Sequence, residues 1–142
     1  MQNTITILSA CIGTIGFSLI YNIRKRHLIP GFVNTVIVVS LYVILSGRIN
    51  NLLVLNTFLS VIAALLSELE ARLFKAPVTV FLIPAIFPLV PGGYLYYTMY
   101  AIITQNSAAV NTNASAALMT SLGLATGIVM VSLIFSFIRK RR

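Results

Sequence analysis

The chain has 142 residues, of which 58% are hydrophobic and 8% charged, with a mean hydropathy of +0.99 and a net charge of +8. Soluble domains carry about 25% charged residues, so this composition excludes an ordinary water-soluble fold and points to one all-α transmembrane domain over residues 1–142. The positive charge does not mark a nucleic-acid binder, because the cations stand in short clusters between apolar runs instead of on one basic face.

In chain order, Thr4 to Tyr21 is an uncharged run long enough for a first span, with Ser9, Gly13 and Gly16 as a small-residue stripe. Cys11 is the lone cysteine, which excludes an internal disulfide and a zinc cluster. Leu8-Ser9-Ala10-Cys11 looks like a lipoprotein cleavage box, but no basic residue precedes it, so a cysteine packed in a helix is expected instead. Arg24-Lys25-Arg26-His27 ends this run. Pro30-Gly31 opens a second span that closes at Ser46-Gly47, and Arg48 and Asn50-Asn51 give a turn. The third span continues to Ser67, and its small residues Ser60, Ala63, Ala64 and Ser67 share adjoining positions of one face.

Glu68 to Ile103 is the stretch that sets the architecture. It contains both acidic residues, four of the five prolines and the sole Pro-Gly-Gly. Pro77 to Thr104 carries no charge and would rise ~42 Å as a continuous helix, against a hydrocarbon core of ~30 Å. Pro84, Pro88 and Pro91 each lack an amide proton, and Gly92-Gly93 adds backbone freedom, so a broken fourth span is predicted. Broken helix in lipid is tolerated where neighbours or a wet cavity satisfy its carbonyls, which makes it a candidate substrate or ion site. Gln105 to Ser115 reads as a polar loop, and Ala116 to Ile138 as the fifth span, with Gly123 and Gly127 in a GxxxG helix-packing spacing. The expectation is thus about five spans, near residues 4–21, 30–47, 50–67, 77–104 and 116–138.

Five spans place alternate connections on opposite sides. Arg24, Lys25, Arg26, Arg72, Lys75, Arg139, Lys140, Arg141 and Arg142 then share one side and Arg48 alone takes the other. The positive-inside rule assigns the first group to the cytoplasm, with the N-terminus outside and the C-terminus inside.

No nucleophile-base pair, P-loop or metal-ligand spacing is present, so no catalytic residue, metal or cofactor is predicted and transport, assembly or pore formation remains. His27 sits in a basic stretch and reads as a topology or headgroup residue. Glu68 and Arg72, four apart, face one side of a helix. They form either an interfacial salt bridge that ends the span or a site in which Glu68 faces the bundle as a proton- or substrate-coupling carboxylate. Glu70 points about 200° away from Glu68 on a helical wheel and is the weaker candidate. Asn34 and Asn56 are expected to bond between helices. Tyr94, Tyr96, Tyr97 and Tyr100 suit an outer aromatic belt, and Tyr94, beside the break, is also placed to line a site.

Glu68, Ala71-Arg72, Lys75-Ala76-Pro77-Val78, Val80-Phe81 and Pro84, followed by Pro88-Leu89-Val90-Pro91-Gly92-Gly93 and Tyr97, resemble the signature of the threonine/serine exporter family. The likeness is to its smaller half, either the C-terminal half of a long exporter or a separate subunit. It continues upstream through Gly16-Phe17, Tyr21-Asn22-Ile23 and Pro30-Gly31. The second span departs from it, with Asn34 and Val36-Ile37-Val38-Val39 where a Gly-rich, Trp-containing stretch is expected. The resemblance implies a secondary exporter of small polar metabolites in a bacterial cytoplasmic membrane, threonine and serine or, in some two-subunit members, dicarboxylates. It also implies a larger membrane subunit as partner. The pathway candidates are Glu68, Arg72, Pro84, Pro88, Pro91, Gly92, Gly93 and Tyr94. Two rival readings are a scaffold subunit that only stabilises its partner and a stand-alone small efflux protein or pore.

Overall fold

The computed structural model describes residues 2–140, with side chains over 4–138. Arg141 and Arg142, and the side chains of Arg139 and Lys140, lie outside the described residues. The described chain is helical throughout: α1 (Gln2–Ile20), α2 (Lys25–Ser46), α3 (Leu52–Phe74), α4 (Thr79–Ile86) with a 3-10 turn over Phe87–Leu89, α5 (Gly92–Ile103) and α6 (Ser107–Lys140). α2, α3 and α6 are each long and apolar enough to cross a membrane, the bent pair of α4 and α5 makes a fourth candidate, and α1 is a shorter apolar helix. The protein is an all-α polytopic membrane protein.

Local chemistry explains the boundaries. Asn51 caps α3, its side chain accepting from the amides of Leu53 (3.0 Å) and Val54 (3.4 Å). An Asn51→Ala chain is expected to lose ~1 kcal/mol of stability, read as a lower melting temperature in detergent. Asn22, Lys75 and Gln105 take positive φ after α1, α3 and α5. Each is followed by an amide that reaches back five residues, Ile23 to Ser18, Ala76 to Ala71 and Asn106 to Ala101. These are left-handed C-terminal caps that satisfy carbonyls the helices leave free.

Two boundaries differ from expectation. Residues 107–115 are not a loop but the first turns of α6. Asn106 caps them by accepting from Ala109 N, Ala108, Ala109 and Ala114 favour helix, and Thr112 and Asn113 fold their side chains onto carbonyls one turn back. α2 begins at Lys25, so Pro30 and His27 lie within a helix.

The core is built on α3, whose most extensive partner is α6. A Cβ on Gly123 would lie 2.7 Å from the Leu53 carbonyl oxygen, and one on Gly127 would meet Ser60 Oγ and the Thr57 carbonyl oxygen at 2.6 Å. The two backbones therefore touch. Ser60 Oγ donates to the Gly123 carbonyl (3.2 Å), and the hydroxyls of Thr57 and Thr126 bond across the seam (3.1 Å). The GxxxG glycines thus meet another helix of this chain. Ser60, Ala63, Ala64 and Ser67 are all buried on α3. On α1 only the middle of the expected stripe faces a neighbour: a Cβ on Gly13 would meet the Phe87 ring at 3.8 Å, but Ser9 is exposed, a Cβ on Gly16 would meet nothing, and the buried residues are Thr14 and Ser18. Small hydroxyl residues fill that face, and the buried Thr14 Oγ1 has no hydrogen-bond partner among the described residues.

Candidate functional site

The break in the fourth span follows from its prolines. Pro88 sits in the 3-10 turn, and Val90, restricted by the proline after it, is extended (φ −61°, ψ 131°). Pro91 follows at φ −76°, ψ 46°, and α5 departs at 44° to the preceding segment. Neither Gly92 nor Gly93 has a positive φ, and an added Cβ at either would meet nothing within 4 Å. Their glycine character leaves the break uncovered instead of accommodating a turn. At the start of α5, Gly92 N bonds to the Val90 carbonyl (2.8 Å), while the amides of Gly93 and Tyr94 bond to no carbonyl before the helix.

Beside this break is a cavity of about 470 Å³, within the ~300–1,000 Å³ range of ligand pockets. Pro88, Pro91, Gly93 and Tyr94 line it, as do Tyr42 of α2, Asn56 of α3, Tyr97 of α5, and Asn113 and Thr120 of α6. Asn56 and Thr120 are almost fully buried, and each donates to its own helix, at the Leu52 and Ala116 carbonyls. Asn56 thus bonds within α3 and not between helices. Gly92 is exposed beyond the cavity. Pro84 is buried against α2, where its carbonyl accepts from Thr35 Oγ1 (3.3 Å), and it lines neither this cavity nor the next.

The second cavity, about 790 Å³, lies at the other end of the α3–α6 seam. Glu68 and Arg72 line it with Ala76, Ser132, Phe135 and Ser136. Of the two readings of Glu68 and Arg72, the salt bridge does not form among the described residues. The Arg72 guanidinium lies instead over the Phe135 ring, 4.8 Å from its centroid, which leaves the Glu68 carboxylate facing the cavity. Ile138 lines the same cavity, and Arg24, His27 and Lys75 border a smaller one beside it, so every described cation but Arg48, with its flanking turns, gathers at one end of the bundle.

Two polar residues have roles the sequence did not suggest. Glu70 does not point to an idle side: it accepts from Asn34 Nδ2 (3.4 Å), which also donates to Ser67 Oγ (3.0 Å) and the Ala63 carbonyl (3.3 Å). Ala63, Ser67 and Glu70 recur at i, i+4 and i+7, one helix face, and that spacing was the available signal. His27 is not a free headgroup residue. Its ring stands edge-on to Phe81 (5.6 Å) and Phe74 (6.3 Å), with Nδ1 buried and unbonded. Thr120, Gly123 and Gly127 likewise share one face of α6, which could have marked Thr120 as a seam residue.

The arrangement holds two separate polar cavities along one helix seam, closed between them where Gly123 and Gly127 touch α3. Such a layout suits binding and passage of a small polar solute. No curated protein and no solved structure matches the sequence. A family profile described as "Threonine/Serine exporter, ThrE" matches residues 6–134, nearly the whole chain including both cavities. The chain belongs to the threonine/serine exporter family, and with its apolar helices is a multi-pass membrane protein of transport.

Proposed function

We propose that this chain lines the export route for serine and threonine and is not a passive scaffold. The observation that carries this reading is the cavity at the Val90–Pro91 break. It offers what an amino acid needs: the free amides of Gly93 and Tyr94 at a helix N-terminus for a carboxylate, and Asn56, Thr120 and tyrosine hydroxyls for the ammonium and side chain. Glu68 and Arg72 act at the opposite, cytoplasmic gate, where both charges of an amino acid find a counterpart. A dicarboxylate is the second substrate class, favoured by Arg72 and the α5 amides. With the basic end in the cytoplasm of a bacterial cell, the N-terminus lies outside and the C-terminus inside.

A larger membrane subunit completes the transporter in this reading. Both cavities are partly open, and a second chain would close them. Labelled serine, threonine or succinate preloaded into cells is expected to leave only when this chain and its larger partner are co-expressed. Efflux from this chain alone would remove the partner from the proposal. To test the lining role, Gly93→Cys is placed in a Cys11→Ser background and labelled with a thiol reagent in the assembled transporter. Serine or threonine is expected to slow labelling; a rate indifferent to every transported substrate favours the scaffold reading.

A further inference from the structure

The Asn34 side chain is fully buried between α2 and α3. Its orientation is fixed, because the three groups around Nδ2 all accept: the Ala63 carbonyl, the Glu70 carboxylate, and Ser67 Oγ, whose own proton goes to the Ala63 carbonyl (2.7 Å). Rotating the amide would set its oxygen against three acceptors. In the observed orientation Asn34 Oδ1 is buried and no donor among the described residues reaches it. A buried carboxamide oxygen without a donor is costly, and the Glu70 carboxylate, already bonded to the same carboxamide through Nδ2, is able to gain a proton.

We propose that Glu70 and Asn34 form a proton-binding pair, in which the carboxylate takes up a proton at Oε1 and donates it to Asn34 Oδ1. One half of that pair is already present, the amide of Asn34 donating to Glu70 Oε2. A carboxylic acid facing a carboxamide closes an eight-membered ring with one hydrogen bond in each direction. The carboxylate can make only one of the two. The proton comes from water at the basic end, no bond between heavy atoms changes, and Glu70 becomes neutral.

The surroundings leave this pair without a competing charge. α3 packs on α2, α4 and α6. From α2 come Asn34 itself and, two turns nearer the basic end, His27, whose ring packs on Phe74 and Phe81; Lys25 and Arg26 are exposed. α4 has no titratable side chain, and α6 has none through Ile138. On α3, Glu68 and Arg72 line the cavity facing α6. In a transporter the pair is a place where proton uptake can be tied to the relative position of α2 and α3. That coupling role rests on the export reading; the proton binding does not.

The chain has only two acidic side chains, so infrared difference spectroscopy of the full protein in lipid nanodiscs can assign them. A pH titration is expected to show a carboxylic C=O band that survives Glu68→Gln and is lost in Glu70→Gln. In Asn34→Leu this band is expected to move to higher frequency, because the acid carbonyl loses its donor. A Glu70 band at the same frequency in both backgrounds overturns the pairing, as does a protonation band from Glu68 alone. Thermal melting gives a second reading if Asn34→Leu does not fold. Glu70→Gln closes the same ring through its amide and is expected to melt no lower than the parent, whereas Glu70→Ala melts lower. Equal losses in both variants would also overturn the proposal. Substrate efflux is scored separately, so a failed export assay leaves this result standing.

Discussion

A Gly127→Val chain is expected not to accumulate in the membrane, while Gly93→Ala accumulates like the parent. Both changes add side-chain carbon to a glycine in an apolar span, and their contacts decide the difference. At Gly127 even the first carbon would collide with Ser60 Oγ, approach the Thr57 carbonyl oxygen at 2.6 Å and the Val61 amide nitrogen at 3.0 Å. Two of those three atoms are backbone, so no rotamer change clears them and α6 must move off α3. Overpacking of this kind costs about 1–3 kcal/mol where a site can adjust, and more where backbones meet. Separation would also break the Ser60–Gly123 and Thr57–Thr126 hydrogen bonds. At Gly93 an added carbon meets nothing within 4 Å. Membrane abundance by quantitative blotting and melting in detergent would read both. Normal abundance and melting of Gly127→Val would mean that the α3–α6 seam is looser than described.

A Pro91→Ala chain is expected to reach the membrane in parental amount yet export at least about tenfold more slowly, equivalent to about 1.4 kcal/mol in the limiting barrier. Pro91 does two things at the break. Its ring keeps Val90 out of the helical region, and its missing amide removes one rung of the ladder. Alanine permits α4 and α5 to join. The amides of Gly93 and Tyr94 would then bond the carbonyls of Leu89 and Val90 and leave the cavity. The protein keeps its α3 core, since Pro91 is not part of it. Efflux per unit of membrane protein, measured with the proposed larger subunit present, checks this. Parental rates from Pro91→Ala would mean that the break does not line the route.

The fourth span shows how far composition reaches. Three prolines in eight residues, next to Gly-Gly and inside an uncharged run, forbid a straight helix wherever the segment is placed, so the break was legible without coordinates. The helix over residues 107–115 was not. Its polar side chains imitate a loop in composition, but they bond back to the Ala108 and Ala109 carbonyls within a helix capped by Asn106. The charged pair failed for a related reason. Spacing says that Glu68 and Arg72 can meet, but not that Phe135 on α6 offers Arg72 an aromatic face.

The sequence by itself determined the all-α membrane class, the exporter family, the broken span and the GxxxG packing spacing, because each depends on residues near one another along the chain. The tertiary structure alone decided which helix the glycines meet, which acidic residue is bonded inside the bundle, and which of the pathway candidates share a cavity. Pro88, Pro91, Gly93 and Tyr94 share one, Glu68 and Arg72 another, and Pro84 and Gly92 belong to neither. The physical reason is that a helical wheel fixes directions within one helix, whereas the rotation of each helix about its axis is set by its neighbours. For α3 that rotation is set by the Gly123–Gly127 contact with α6, and it turns Glu70 toward Asn34 and Glu68 toward the cavity.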